Sequence, residues 1–416
     1  MRRWIGVGAA LGVIVALVPV VRGTIAIDAP LRKLASAAGV GPKSKEPPKL
    51  EGLDLLRLDL RPQRVMAPLK DGQAAELTLD PGFQRAARAQ MSKYRVPEGG
   101  VVVMDVKTGK LLAYASYVNE GEAFDVNVRA EAPAASVFKV ITGSALVEKA
   151  GLSSETEQCY HGGKSRILPD ELVDDPRRDK WCATLAIAMG RSLNVVFARL
   201  TQKNLTPEDV AQMGGAFGFG ASLPFAVPNE PSKIAIPQEP LEFARAAAGF
   251  WHTSLSPLLG ASIAQTVANG GVTLEPRIVA AVSRGGEEIW RDEREPRVLR
   301  RAIKAETATQ VSRMMRQTVS NGSAYKSFHD AKGRPYLPGV AVAGKTGTLT
   351  DYKQNRFYTW FVGFAPAEAP EVAISTLVVN TPSWQIKAPQ LAREVLRSYF
   401  EKRGAKRADR LAAADP

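Results

Sequence analysis

The apolar positions of the chain form one long uninterrupted run near its start and shorter periodic segments after it. Residues 4–21 are 18 consecutive positions without a charge and follow Arg2 and Arg3, a pattern typical of a membrane-spanning helix or a signal peptide. Since no small-residue cleavage site follows closely, we predict an uncleaved membrane anchor over residues 1–22. The rest of the chain is then expected on the outer, periplasmic side of the cell membrane.

Polar and proline-containing residues separate this run from the periodic part of the chain. Residues 43–49 are polar and contain two prolines, so residues 23–75 are predicted to form a juxtamembrane linker. The periodic segments predict a folded domain over residues 76–402. The basic residues 403–416 are predicted to form a solvated tail.

Within the predicted domain, strand patterns stand at both ends and helical patterns in the middle. Asp80 before Pro81 is a typical helix start, and this helix is predicted to end near Tyr94. The other predicted elements are a hairpin of strands 101–106 and 111–117, helices within 136–200 and 243–269, strands 340–345, 357–364 and 372–380, and a helix over 389–400. This order predicts an α+β fold with one mixed or antiparallel sheet of about five strands covered by helices.

Composition and charge narrow the classes of protein to which the chain can belong. Hydrophobic residues make up 45% of the chain and charged residues 23%, which is ordinary for a globular protein and excludes a disordered or collagen-like chain. The net charge of +13 suits nucleic acid, an anionic membrane surface or a cell wall equally. Because the anchor places the domain outside the cytosol, no nucleic-acid partner is predicted.

The cysteines and histidines are too few for a disulfide-dense scaffold or a histidine-rich metal site. The chain has two cysteines and three histidines. Cys159, His161 and Cys182 offer three zinc ligands without a fourth, so no metal site is predicted. An extracytoplasmic location favours a disulfide between Cys159 and Cys182, and two buried free thiols are the alternative.

Ser136 and Lys139 are the first residues whose spacing suggests chemistry. Residues three apart share a helix face, so the lysine amine can take the serine proton if burial keeps that amine neutral. The helix that carries them is predicted to continue to about residue 150. The same spacing recurs at Ser323 and Lys326, so one copy alone is weak evidence.

Two further motifs carry polar groups suited to substrate binding. Ser192-Leu193-Asn194 lies between two helical segments, and both polar side chains can face one cleft only if the chain turns there. Lys345-Thr346-Gly347-Thr348 ends an apolar segment and offers a cation, two hydroxyls and a glycine that allows close backbone approach. These groups suit a substrate carboxylate and an oxyanion.

Residues 339–346 also match the phosphate-binding pattern G-x-x-x-x-G-K-[ST] letter for letter. The context that this pattern requires is missing, however. Residues 332–338 before it are polar and contain two prolines, and residues 349–355 after it are a poor helix start. We therefore do not predict a nucleotide site.

The three short motifs follow one another in an order that is far more specific than any one of them. Ser136-x-x-Lys139, Ser192-x-Asn194 and Lys345-Thr346-Gly347 begin 56 and 153 residues apart, in the order of the acyl-serine enzymes that recognise penicillin. The sequence resembles the transpeptidase domain of penicillin-binding proteins over about residues 77–400. Further segments that carry the resemblance are 79–84, 102–109, 217–220, 256–258, 268–271, 322–324 and 361–366. One departure is that Ala134 and Ala135 stand where the family usually has Pro-Gly.

This resemblance implies an all-helical subdomain beside the sheet and a role for each motif residue. Ser136 is implied as the nucleophile and Lys139 as its base, while Ser192 and Asn194 relay protons and hold the substrate amide. The substrate-binding residues implied are Lys345, which supplies positive charge, Thr346 and Thr348, which bind the terminal carboxylate, and Gly347 between them. The backbone N–H groups of Ser136 and Thr348 are implied as the oxyanion hole. Neither a metal nor a cofactor is implied.

The activity implied by the resemblance is that of a peptidoglycan D,D-transpeptidase, which crosslinks stem peptides and is acylated by β-lactams. A D,D-carboxypeptidase uses the same residues with water as acceptor, and a catalytically weak scaffold of a wall-synthesis complex is a further alternative. A class A β-lactamase is disfavoured, because no Glu-x-x-Leu-Asn segment lies between Asn194 and Lys345. We expect a small monofunctional member, with a glycan polymerase acting in trans as a candidate partner.

Overall fold

The computed structural model of the chain describes residues 46–163, 166–382 and 384–414, with side chains as far as Gly404. The predicted anchor, residues 1–22, lies outside the described residues. Among the helices of the described part, none is long and apolar enough to cross a bilayer.

The described residues form fourteen β-strands and ten α-helices. The strands are β1 (Asp59–Leu60), β2 (Val65–Pro68), β3 (Gln73–Leu77), β4 (Glu98–Asp105), β5 (Leu111–Val118), β6 (Glu157–Tyr160), β7 (Trp181–Thr184), β8 (Val272–Leu274), β9 (Val279–Arg284), β10 (Glu287–Arg291), β11 (Val298–Arg301), β12 (Ala343–Asp351), β13 (Arg356–Ala365) and β14 (Val372–Asn380). The helices are α1 (Pro81–Lys93), α2 (Lys139–Glu148), α3 (Leu185–Arg191), α4 (Asn194–Asn204), α5 (Pro207–Phe217), α6 (Pro240–Ala247), α7 (Pro257–Ala268), α8 (Ala305–Ser320), α9 (Tyr325–Phe328) and α10 (Ala388–Ala414). Two short 3₁₀ helices cover Ala135–Phe138 and Pro169–Leu172.

Five antiparallel strands form the central sheet, in the spatial order β12–β13–β14–β4–β5. The predicted α+β class with a five-stranded sheet is confirmed. Alternate residues of β4 point to opposite faces: Val102 and Met104 join one core, which includes α7, and Val101 and Val103 join another, which includes α1 and α10. Because helices cover both faces, these strands are continuous apolar runs.

The helix α1 begins and ends where the sequence predicts. The side chain of Asp80 accepts hydrogen bonds from the backbone N–H groups of Gly82 and Phe83, which satisfies donors that a helix start leaves free. Pro81 occupies the first turn, where its missing N–H costs nothing. The predicted hairpin that follows is also confirmed, because β4 and β5 pair in antiparallel register.

A helical subdomain lies beside the central sheet, with α2 at its centre. This helix packs against α4, α5 and α8, and all eight residues from Lys139 to Leu146 are buried. A helix that is buried all round needs apolar or small residues on every face. The sequence has them, and the predicted helix is observed over a shorter range, ending at Glu148.

The helical pattern predicted over residues 136–200 is interrupted by a small antiparallel hairpin of β6 and β7. Cys159 stands opposite Cys182 in this hairpin and the two form a disulfide. The pairing joins residues 23 positions apart, so a periodicity read along the chain does not reveal it. The predicted disulfide is therefore present. Because both sulfurs form this bond, neither is available as a zinc ligand.

Replacement of Cys159 and Cys182 by serine is expected to lower the free energy of unfolding by about 3 kcal/mol, because the bond restricts the unfolded loop. Urea denaturation of the wild type and of the double variant, each with and without reductant, measures this difference. Reductant should destabilise only the wild type. Two alkylated thiols in unreduced protein from the cell envelope would show that the bond is absent.

The folded part of the chain begins earlier than residue 76. Strands β1, β2 and β3 lie within or overlap the predicted linker, residues 23–75, and form a second antiparallel sheet with β9 and β10. Val65 and Ala67 of β2 are buried in it. The partner of β3 is about two hundred residues further along the chain, a pairing that local composition cannot indicate. At the other end, α10 continues through the predicted tail to Ala414.

Candidate active site

The structure brings Ser136 and Lys139 together at the junction of a 3₁₀ helix and α2. The amine Nζ of Lys139 lies 3.1 Å from Oγ of Ser136 and 2.8 Å from Oδ1 of Asn194. It also donates a hydrogen bond to the backbone carbonyl of Ala248. A neutral amine has two hydrogens and one lone pair, so with Asn194 and Ala248 as acceptors the lone pair is left for the Ser136 proton.

Burial favours this neutral form of Lys139. The side chain is fully buried, and the loss of hydration, with a smaller repulsion from Lys345, holds its pKa well below the ordinary value of 10.5. A lysine with a lowered pKa can act as a base toward a neighbouring hydroxyl. Lys139 therefore lies next to Ser136, as the three-residue spacing predicts. Burial also favours the neutral amine that can accept the Ser136 proton.

The second motif lies at a sharp turn between two helices, as the sequence predicts. Helix α3 ends at Arg191, and Ser192 adopts the left-handed conformation with φ of 59° and ψ of 42°. Helix α4 begins at Asn194, two residues after Ser192. The turn aims Asn194 at Lys139, as described above, and Ser192 at a different amine: Nζ of Lys345 donates to its Oγ at 2.9 Å.

The third motif lies inside β12 and not at the end of a strand. The predicted strand 340–345 starts later, at Ala343, and continues to Asp351, because its whole length pairs with β13. Lys345 is fully buried, and this burial lowers its pKa to about 7. At Gly347 an added Cβ would lie 3.2 Å from the carbonyl oxygen of Ala134, so glycine lets β12 approach the segment before Ser136.

The two threonines of the third motif are placed differently. Thr348 lines the same cleft as Ser136. Thr346 is buried, and its Oγ1 lies 2.6 Å from Oγ of Ser323. The second Ser-x-x-Lys copy therefore lies beside the third motif, with a different partner from that of Ser136.

The cleft in front of Ser136 has a volume of about 650 Å³. Its walls come from the loop after α6 and from β12. The lining residues are Ser136, Arg166, Ile167, Asn194, Glu242, Arg245, Ala248, Gly249, Phe250, Trp251, His252, Thr348, Leu349, Thr350 and Tyr352. Another cavity, of about 800 Å³, lies at residues 336–340 and the end of α10 and contains no motif residue.

Some functional groups of this site are absent from the sequence prediction. The carbonyl of Ala248 belongs to a residue without side-chain chemistry, so only the fold places it at Lys139. Trp251 and Tyr352 are 48% and 84% exposed at the cleft, where aromatic side chains can contact substrate. The sequence does point to Ser323, because the segment 322–324 is part of the family resemblance. Its three-residue spacing from Lys326, however, suggests Lys326 as its partner and not Thr346.

Among the residues that the structure describes, no group of side chains offers a complete set of metal ligands. The single group there with three potential ligand atoms close together is Glu157, Cys159 and Cys182. The disulfide occupies both sulfurs, which leaves one exposed carboxylate.

Ala135→Gly is expected to raise the free energy of unfolding by about 1 kcal/mol. Ala135 has φ of 49°, in the left-handed region where a Cβ costs about 1–2 kcal/mol, part of which the greater entropy of unfolded glycine offsets. This is the position at which the family usually has glycine. Denaturation curves of the variant and of the wild type measure the change.

The neighbouring Ala134 provides a matched control. Its φ of −63° is helical, so Ala134→Gly is expected to lower the free energy of unfolding by about 0.5–1 kcal/mol. Both alanines are buried, so the substitutions remove the same methyl group from similar surroundings. Shifts of the same sign in the two variants would refute the assignment of strain to Ala135.

A serine beside a buried lysine amine, in a cleft next to an antiparallel sheet, is the arrangement of a serine acyl-transfer enzyme. The sequence model of the penicillin binding protein transpeptidase domain matches residues 99–397. The match covers more than half of the chain, and the chain therefore belongs to the penicillin-binding protein transpeptidase family.

Individual relatives are distant. The chain is 28% identical over 358 residues to the peptidoglycan D,D-transpeptidase PbpA of Mycobacterium tuberculosis, which covers 74% of this chain and 68% of that protein. Stage V sporulation protein D of Bacillus subtilis is 26% identical over 337 residues, which covers 75% of this chain and 50% of that protein. The chain thus matches between half and about two thirds of the length of these relatives.

Solved structures share the fold. The D,D-transpeptidase domain of a peptidoglycan glycosyltransferase from Eggerthella lenta has a TM-score of 0.65 and 25% identity and covers 80% of this chain and 84% of that chain. Penicillin-binding protein A from M. tuberculosis, in an imipenem acyl-enzyme complex, has a TM-score of 0.65 and 23% identity and covers 78% and 79%. The likeness of the second structure supports the fold alone.

Proposed function

We propose that the chain is a peptidoglycan D,D-transpeptidase that crosslinks cell-wall stem peptides through an acyl intermediate on Ser136. One observation carries the proposal: the fully buried amine of Lys139 lies 3.1 Å from the Ser136 hydroxyl. Family membership and the name of the M. tuberculosis relative supply the reaction and the substrate class.

In the acylation step Ser136 Oγ attacks the carbonyl carbon of the peptide bond between two D-alanines, and Lys139 takes the hydroxyl proton. The oxyanion is held by the backbone N–H groups of Ser136 and Thr348, each worth about 3 kcal/mol in comparable sites. The peptide bond breaks and terminal D-alanine leaves as an amine that must gain a proton. We assign this transfer to the Ser192 hydroxyl, which accepts a hydrogen bond from Nζ of Lys345 at 2.9 Å. Ser192 gives its proton to the amine and regains the one that Lys139 took from Ser136, so that Lys139 is neutral again.

Substrate binding is assigned to the third motif and to Asn194. The positive charge of Lys345 attracts the terminal carboxylate of the stem, and the hydroxyls of Thr346 and Thr348 donate hydrogen bonds to it. Gly347 gives the strand its close approach to the nucleophile segment. Asn194 lines the cleft, where its side-chain amide reaches the backbone of the bound stem peptide.

The second half of the reaction regenerates Ser136. An amine of a neighbouring stem attacks the acyl-serine ester, forms the crosslinking amide and returns a proton to the Ser136 oxygen. Water in place of the amine gives the D,D-carboxypeptidase reaction with the same residues. A β-lactam would acylate Ser136 in the same way, but its ring-opened product stays attached and blocks the site.

We place the domain outside the cytoplasmic membrane, tethered by residues 1–22. The support is the uncharged run over residues 4–21 and the disulfide between Cys159 and Cys182, a bond typical of oxidising compartments. In this location a glycan polymerase acting in trans supplies the strands whose stems are joined.

The test uses the full chain in detergent, a donor stem peptide that ends in D-Ala-D-Ala, and an acceptor peptide with a free amine. We expect release of one D-alanine per crosslinked product, measured by chromatography and mass spectrometry, and no product with Ser136→Ala. Release of D-alanine with hydrolysis alone, at saturating acceptor, would favour the carboxypeptidase. No release with any donor would reject both activities.

A further inference from the structure

Ser323 lies where two of the three motifs meet. It belongs to the short segment between α8 and α9, and its Oγ lies 2.6 Å from Oγ1 of Thr346. Its backbone N–H donates to the carbonyl oxygen of Gly190 at 2.9 Å, two residues before Ser192. One residue therefore contacts the strand of the third motif and the helix that leads into the second.

The backbone around Ser323 is held in place by close packing. An added Cβ at Gly322 would lie 2.2 Å from the carbonyl oxygen of Gly190, a distance that no side chain tolerates. Ala324 is fully buried, and its N–H donates to the carbonyl of Thr318 at 2.9 Å. The Ser323 hydroxyl is thus presented to Thr346 from a backbone that has little freedom to move.

The direction of the hydrogen bond between Ser323 and Thr346 decides what Thr346 can do. A hydroxyl has a single hydrogen. If Thr346 donated it to Ser323, Thr346 would have none to offer a carboxylate. If Ser323 donates, the Thr346 oxygen accepts, its own hydrogen is free for the ligand, and the chain of two hydrogen bonds polarises in one direction.

We propose that Ser323 is a positioning residue that donates its hydroxyl hydrogen to Thr346 and so directs the Thr346 hydroxyl toward the carboxylate of the bound substrate or β-lactam. This rests on the proposed function, in which Thr346 binds that carboxylate. Ser323 acts through Thr346 alone. Its removal therefore affects ligands that carry the carboxylate and spares those that lack it.

The experiment measures the second-order rate of acylation by benzylpenicillin and by its neutral methyl ester. We expect Ser323→Ala to slow acylation by the free acid roughly 3- to 10-fold, the range of one lost hydrogen bond, and to change acylation by the ester less than about twofold. Ser323→Thr keeps a hydroxyl and is expected to restore the wild-type preference for the acid. Ser320→Ala is the matched control, because Ser320 has no side-chain hydrogen bond within the described part of the chain and is expected to leave both rates unchanged.

Combining Ser323→Ala with Thr346→Val distinguishes an effect of Ser323 through Thr346 from a general disturbance of the fold. In Thr346→Val the partner hydroxyl is gone, so adding Ser323→Ala should have no further effect on the acid. Equal slowing of acid and ester by Ser323→Ala, or an undiminished effect in the Thr346→Val background, would overturn the inference while leaving acylation of Ser136 intact. Failure of the wild-type protein to react with either compound would overturn the proposed function itself and this inference with it.

Discussion

Ser136→Ala is expected to abolish covalent labelling of the protein by a fluorescent penicillin. The substitution removes the hydroxyl that lies 3.1 Å from Nζ of Lys139, and loss of a catalytic nucleophile costs on the order of 10⁶ in rate in a comparable serine enzyme. The measurement is gel fluorescence together with intact mass. The variant loses one small group and should keep the wild-type unfolding midpoint, so loss of labelling then reports chemistry.

Ser323→Ala is the control that separates the two Ser-x-x-Lys copies. Lys326 is exposed and, within the described residues, has no hydrogen bond to Ser323, whereas Lys139 is fully buried. We therefore expect Ser323→Ala to remain labelled at saturating penicillin, although more slowly. Labelling that persists in Ser136→Ala and disappears in Ser323→Ala would reverse the assignment.

Lys139→Arg is expected to abolish acylation, whereas Lys345→Arg should retain a measurable rate. Arginine stays protonated at every accessible pH, so it cannot accept the Ser136 proton. At position 345 the proposed requirement is positive charge, which arginine keeps. Both substitutions enlarge a fully buried side chain, so folding of each variant must be checked by circular dichroism. Equal losses in two folded variants would argue against different roles for the two lysines.

The pH dependence of the acylation rate also tests whether Lys345 acts through its positive charge. Lys345 must carry a proton to attract a carboxylate, and burial lowers its pKa to about 7. The rate of acylation by benzylpenicillin should therefore fall as pH rises through about 7, because the charged form is lost. In Lys345→Arg this alkaline decline should move beyond pH 9. An unchanged decline in that variant would assign it to another group.

The sequence predicts well those features that depend on neighbours along the chain. The cap at Asp80, the hairpin of β4 and β5 and the turn at Ser192 are set by residues within a few positions of one another. Motif order then identifies the family, because three short patterns in a fixed sequence are rare together. None of these inferences requires knowledge of tertiary contacts.

Features that depend on distant partners could not be predicted. The strand β3 pairs with β9 across about two hundred residues, and its polar, proline-containing flank suggests a linker. The carbonyl of Ala248 is 109 positions from Lys139, and a backbone acceptor leaves no trace in residue type. The spacing of Ser323 and Lys326 suggests a pair, whereas the fold turns the serine toward Thr346.

Mapping the adduct on the wild-type protein shows whether Ser136 carries the acyl group. Trypsin releases residues 130–139 with Ser136 as the only hydroxyl residue, and residues 317–326 with Ser323. After reaction with benzylpenicillin, we predict the added mass of one penicillin on residues 130–139 and none on residues 317–326. An unmodified 130–139 peptide from fully labelled protein would show that Ser136 is not the acylated residue.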